Sequence, residues 1–411
     1  MGTSAGTIGP MRTAFSNLLR ELRASRGKSL ADLASLIHFS RGYIGNVETG
    51  GKFPARAFAE LADTALQAHG ELVRAWQLAD DEERATEQTR RLMAASVRES
   101  ETLDALCGSR PDTGFVGEAV RSLAVAYLGT PPGPMLAEAT QLRSELVDRI
   151  KKGGVRPEDE NDLVLAAGHL SGILAYAALD LGSPDAAVAH ARAAWSCGDR
   201  VGDNALRAWT RGTQSLIARF QSDYERALEY IRDGEQYAAG GTAKPRILCG
   251  LAQCMANLGN STEANSALDA AQTAREQSRI PDSMPGLFEF SQAKQHYYAG
   301  SSLIWLNGRE NAERAEREAT QAIRMWEAES PETRSLDDEA LAHVYLGTAR
   351  LQLGELDGGM AAIRPILDLP EERKISWIGK RLDRFQGMLL QPPYRGSLVA
   401  KDAVEEIRAL N

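Results

Sequence analysis

A five-fold recurrence governs what this chain can fold into. A leucine-rich stretch, a short polar turn and an alanine-bearing stretch follow one another as Leu179–Trp195 (LDLGSPDAAVAHARAAW), Arg219–Gly234 (RFQSDYERALEYIRDG) and Ala256–Ala271 (ANLGNSTEANSALDAA). The pattern returns at Trp305–Ile323 (WLNGRENAERAEREATQAI) and Leu351–Leu367 (LQLGELDGGMAAIRPIL). The turn-proximal alanines Ala187, Ala227 and Ala264 stand 40 and 37 residues apart. Each unit reads as two helices that cannot bury their apolar faces alone, so the pairs must stack into an α-solenoid. The fold class is therefore all-α. Before the repeats, Val116–Leu128 and Leu136–Ile150 read as an irregular helical pair that caps them. After them, Ile375–Leu389 and Asp402–Leu410 read as capping helices joined by a PPYRGS turn.

A chain of 411 residues exceeds one small core, and two or three domains are expected. The N-terminal part reads differently from the repeats. Phe15–Arg26 is a helix with Leu18, Leu19 and Leu22 inward and Arg20, Arg23 and Arg26 mostly outward. Lys28–Gly50 (KSLADLASLIHFSRGYIGNVETG) reads as two short helices joined by a tight turn. Ser29 and Ser40 are placed to cap them, Leu30, Leu33, Ala34 and Ile37 face inward on the first, Ile44 and Val47 on the second, and Gly50 ends the pair. Pro54 opens a fourth helix to Leu66, and Glu71–Leu78 supplies Leu72, Val73 and Trp76 to close the core. The first 56 residues carry eight basic and three acidic side chains in a chain of net charge −9. A basic head on an acidic body is expected when one domain meets phosphates and another does not.

Two helices with a tight turn between them form the helix-turn-helix of DNA-binding proteins. The order Leu33-Ala34, Ser40-Arg41, Ile44, Val47-Glu48, Gly50 resembles the XRE (phage-repressor-like) family of regulators, in which this unit heads a five-helix domain. The resemblance implies that Arg41, Gly42, Tyr43 and Asn46 face base edges. Arg41 suits guanine and Asn46 suits adenine, while Ser40, Lys52 and the arginines of the first helix would hold phosphates. Glu48 reads as structural, paired with an arginine of its own domain. Two positions depart from the family: Leu30 stands where a Gln is usual, and His38 where the turn usually has a Gly. The repeats, with Leu346-Gly347 and alanine-rich second helices, resemble tetratricopeptide repeats without most of the consensus Trp and Tyr. The expected organisation is a helix-turn-helix domain over 11–80, a helical linker over 81–112 and a tetratricopeptide-like domain over 113–411.

Catalytic signatures are missing: there is no GxGxxG, P-loop, GxSxG or HExxH, and the expectation is a non-enzyme without cofactor or metal. Four scattered cysteines (Cys107, Cys197, Cys249, Cys254) read as reduced, and no apolar leader or membrane-length run stands out, so a cytoplasmic protein is expected. In tetratricopeptide folds the first helix of each pair lines the concave surface. Projected on this chain, that surface takes His169, Tyr176, Trp209, Arg219, Arg246, Gln253, Asn257, Gln295, Tyr298 and Trp305. Aromatics mixed with amides and arginines suit a peptide backbone or an oxygenated small molecule. The acidic body hints at a cationic ligand. The resulting reading is a sequence-specific transcription regulator: a homodimer binding double-stranded operator DNA, with a solenoid that senses a small molecule or peptide, away from membranes. The alternative is an interaction scaffold whose head binds DNA poorly.

Overall fold

The computed structural model describes residues 10–82, 84, 113–153, 156–278, 281–330, 333–370 and 373–408. Helices and turns account for all regular structure among these residues. The chain divides into two compact units, Met1–Arg110 and Pro111–Asn411. Residues 1–9, most of the expected linker and Cys107 lie outside the described residues.

The first unit holds α1 (Pro10–Ser25), α2 (Leu30–Ile37), α3 (Arg41–Glu48), α4 (Arg56–Leu66) and α5, helical over residues 71–82. α1 begins at Pro10, a turn earlier than the apolar pattern suggests, because proline at the first helical position costs no hydrogen bond. Ser29 and Asp32 form a reciprocal capping box at the start of α2, and Ser40 caps α3 by accepting from Tyr43 N at 3.1 Å. The five helices bury Phe15, Leu19, Leu33, Ile37, Ile44, Val47, Phe58 and Leu66 in one core. Trp76 of α5 stacks on Phe53 and donates its indole N–H to Pro54 O at 2.7 Å, tying the fifth helix to the start of the fourth. Asp63, buried in α4, accepts from the backbone N–H of Gly70 and Leu72, at 2.8 and 3.0 Å, and so fixes the turn into α5.

The second unit opens with α6 (Thr113–Ala126) and α7 (Pro132–Lys152). Five helix pairs follow: α8 (Pro157–Asp180) with α9 (Pro184–Val201), α10 (Asn204–Phe220) with α11 (Tyr224–Gly234), α12 (Ala243–Asn257) with α13 (Ser261–Gln277), α14 (Gln292–Leu303) with α15 (Arg309–Glu327), and α16 (Leu336–Leu353) with α17 (Leu356–Leu367). A sixth, α18 (Ser376–Leu389) with α19 (Leu398–Arg408), ends the unit. The five signature turns of the sequence are the turns within these pairs. Ala187, Ala227 and Ala264 are fully buried, where a methyl group lets the second helix of a pair lie close against the first. The first helices therefore face a common interior. One apolar stretch of α8, Asp159–Asp180, is long enough to cross a membrane, but 83 % of its most apolar window is buried among the repeats.

α18 does more than cap the stack. Ser376, Lys380 and Arg384, spaced four residues apart on one face, donate to the carbonyls of Leu179, Phe220 and Ile304. Those carbonyls lie at the C-terminal ends of α8, α10 and α14; Leu179 O also accepts from Gly182 N–H and Ile304 O from Gln352 Nε2. The same closure brings Leu336 N to Leu128 O at 3.0 Å and Arg373 to Gly129 O. The end of the solenoid thus bonds back to its beginning.

Candidate nucleic-acid interface and interior cavity

In the first unit, α3 turns Ile44 and Val47 into the core and leaves Arg41, Gly42 and Asn46 exposed. A Cβ added at Gly42 or Gly45 would meet nothing within 4 Å, so packing inside the chain does not require either glycine. Each weakens the helix, by about 0.5–1 kcal/mol relative to alanine, and both keep that side of α3 low. Ser40 is exposed and its Oγ accepts the capping bond, which leaves its O–H to donate outward. Tyr43 is half-buried between Phe39 and Phe58, with ring centroids 5.1 and 5.5 Å away, and burial raises its phenol pKa. Lys52 places its ammonium 4.9 Å from the Tyr43 ring. Tyr43 is thus as much a core residue as a surface one.

The arginines of α1 depart from the expectation. Arg23 pairs bidentately with Glu48, at 2.5 and 2.7 Å, and also donates to Lys28 O. Arg26 donates to Leu66 O and Gln67 O, which end α4. Arg23 is structural, whereas Arg26, despite its bonds to the end of α4, and Arg20, beside Asn17, both stay exposed. Helical periodicity tells which way a Cβ points, but a guanidinium reaches round the helix to whatever acceptor lies near. The expected partner of Glu48 is Arg23. His38 adopts φ 58° and ψ 39° as the C-cap of α2, the left-handed backbone for which glycine is the ordinary choice.

In the second unit the first helices of all six pairs, with the end of α6 and the loop before α14, enclose a cavity of about 70 Å³. Tyr176, Arg219, Arg246, Gln253 and Tyr298 line it, five of the ten residues projected from the repeats. Arg246 donates to Tyr176 Oη and Thr213 Oγ1, both at 3.1 Å, and lies 4.7 Å over the Trp209 ring. His169, Trp209 and Arg246 line a second cavity of about 270 Å³. His169 presents Nδ1 to Leu165 O, and burial pushes its imidazole pKa down to about 4, so the ring is neutral near pH 7. Asn257, Gln295 and Trp305 are not brought to either cavity. Asn257 donates to Gln253 O, Gln295 is held by Arg275 and Gln272, and Trp305 lies under the Arg384 guanidinium at 3.6 Å.

Sequence reasoning missed the charged part of the interior. Tyr127 donates to Asp180 Oδ2 at 2.6 Å, and burial with the nearby Asp337 raises the Asp180 pKa well above the usual carboxyl range. Asp337, pushed up to about 6 by burial, lies 3.5 Å from Arg373. Asp338 accepts from Ser335 Oγ at 2.7 Å and lies 4.0 Å from the Lys294 ammonium. Lys294 stands one helical turn before Tyr298, a spacing that could have revealed it. Arg381 and Trp377 come from α18, and nothing local marks that helix as lining an interior. Cys249 and Cys254 are buried free thiols, with Cys249 pushed up to about 12 by desolvation.

Residues 14–76, which span α1 to α4 and the first half of α5, match the family model for the helix-turn-helix domain. No curated protein matches the chain. Among solved structures it is similar to Bacillus thuringiensis PlcR, in a crystal structure in complex with the peptide PapR7 and DNA. That match has 12 % sequence identity and a TM-score of 0.34, and covers 64 % of this chain and 94 % of that one.

Proposed function

We propose that the chain is a sequence-specific, DNA-binding transcription regulator of the XRE type, working as a homodimer in the cytoplasm. Its first unit binds operator DNA, and its solenoid binds a small molecule or peptide that alters DNA affinity. The observation that carries the reading is the helix-turn-helix match over residues 14–76, together with the exposed, glycine-bearing face of α3. Arg41 is placed to take guanine O6 and N7, Asn46 to pair with adenine, and Gly42 to let the helix backbone approach the bases. Ser40 and Lys52 hold phosphates and set register, and Tyr43 braces the helix from its inner side. A dimer sets two such helices about 34 Å apart, one turn of DNA. An effector acts only through a difference in its affinity for DNA-bound and free forms.

For the effector, Tyr176, Arg219, Arg246, Gln253 and Tyr298 are the proposed first contacts, with His169 and Trp209 in the adjoining cavity. About 70 Å³ is room for only a few waters, which favours a small molecule over a peptide. The test is selection of bound sequences from random duplex DNA by the full chain and by Arg41→Ala. The selected consensus should lose preference at one base pair in the variant, at a cost of about 1–3 kcal/mol. Enrichment of no sequence by the wild-type chain would favour the scaffold reading.

A further inference from the structure

We infer that the interior cavity under α18 binds a small carboxylate that also carries an O–H or N–H donor, and that Arg219 takes its charge. The inference rests on the effector reading of the solenoid and names the chemistry of the effector.

Arg219 lines the cavity and is only 7 % exposed. Its Nε has no hydrogen-bond partner, and its side chain forms no hydrogen bond or ion pair among the described residues. A buried guanidinium left in that state is strongly unfavourable unless an anion meets it. The carboxylates of the cavity do not fill that role. Asp180 is engaged by Tyr127, Asp337 by Arg373, and Asp338 by Ser335 and Lys294. Arg246 and Arg381 also face the cavity without a carboxylate, bonded to Tyr176 and Tyr345 hydroxyls. Inside a chain of net charge −9, this interior is short of negative charge. The cationic ligand suggested by overall composition therefore has the wrong sign.

A second orphan gives the other half of the ligand. Gln253 is 6 % exposed and its Nε2 donates to Ser301, but its Oε1 has no partner. An acceptor of that kind selects a ligand donor. Arg219 and Gln253 come from α10 and α12, adjacent first helices, so a single small molecule can answer both. Tyrosine rings on the walls favour a flat body. A carboxylate group fits the present space, and Trp377 and Arg381 of α18 form part of the wall beside it.

The probe is sodium 3-hydroxybenzoate, whose hydroxyl cannot reach its own carboxylate, against its neutral isostere 3-hydroxybenzamide and against inorganic phosphate, at constant ionic strength. Binding to the full chain is followed by calorimetry and thermal unfolding. 3-Hydroxybenzoate should bind and raise the melting temperature, and 3-hydroxybenzamide should do neither. Arg219→Met should weaken 3-hydroxybenzoate binding at least about tenfold, while Arg219→Lys keeps part of it. Without ligand, Arg219→Met should melt no lower than wild type, because it removes an unpaired buried charge. Equal binding of acid and amide, binding of neither, undiminished binding by Arg219→Met, or binding of phosphate in place of 3-hydroxybenzoate would each overturn the assignment. Specific DNA binding by the same samples separates the two readings. Failure of anion binding in a chain that binds DNA overturns the site alone, and 3-hydroxybenzoate binding by a chain without DNA specificity overturns the regulator alone.

Discussion

At the residue scale, the first unit separates side chains that hold the fold from those left over for recognition. Glu48 is 6 % exposed and receives both arms of Arg23, so Glu48→Ala leaves a guanidinium without its counter-ion. A loss of about 3 kcal/mol is expected, read as a lower urea midpoint with an unchanged slope. The caps Ser29 and Ser40 and the inward Ile44 and Val47 were legible in the sequence, because cap chemistry and helical period are local properties. Arg23 and Arg26 were not, since their acceptors lie 25 and 40 residues away. His169 shows the same limit in the solenoid. Its folded pKa of about 4 lies below the ordinary 6.5, so the unfolded chain binds more protons between those values, and stability falls as pH drops through that window. His169→Asn should remove this dependence. Urea titrations at pH 7 and pH 4.5 should show wild type losing about 2–3 kcal/mol more than the variant.

The helix elements follow from their turns. Small residues after each signature turn marked the second helices, and the buried Ala187, Ala227 and Ala264 show why no larger side chain is used there. What the local pattern could not carry is the return of α18 to α8, α10 and α14. Its donors at positions 376, 380 and 384 look like an ordinary polar face until the acceptors, 80 to 197 residues away, are in place. The interior carboxylates went unseen for the same reason: Asp180 and Asp337 sit on different helices and meet only across the fold. Replacing Ser376 and Lys380 together by alanine should cost about 1–3 kcal/mol, from two lost bonds to helix-end carbonyls. Hydrogen exchange should quicken in α18 before it does in α8, and equal protection of both helices in the variant would argue against a closing role.

For the whole molecule, the sequence divided the chain by charge and by repeat. The basic head is the helix-turn-helix segment, and the acidic remainder builds a solenoid with a cation-rich interior. Sequence-specific reading of DNA by the first unit is tested most directly by titrating the full chain with DNA flanking its own gene and with random duplex, over a range of salt. A specific complex at least about 10³-fold tighter than the random one is expected. Both affinities should fall steeply and linearly on logarithmic axes as salt rises. Equal affinities for the two DNAs at every salt concentration would contradict it.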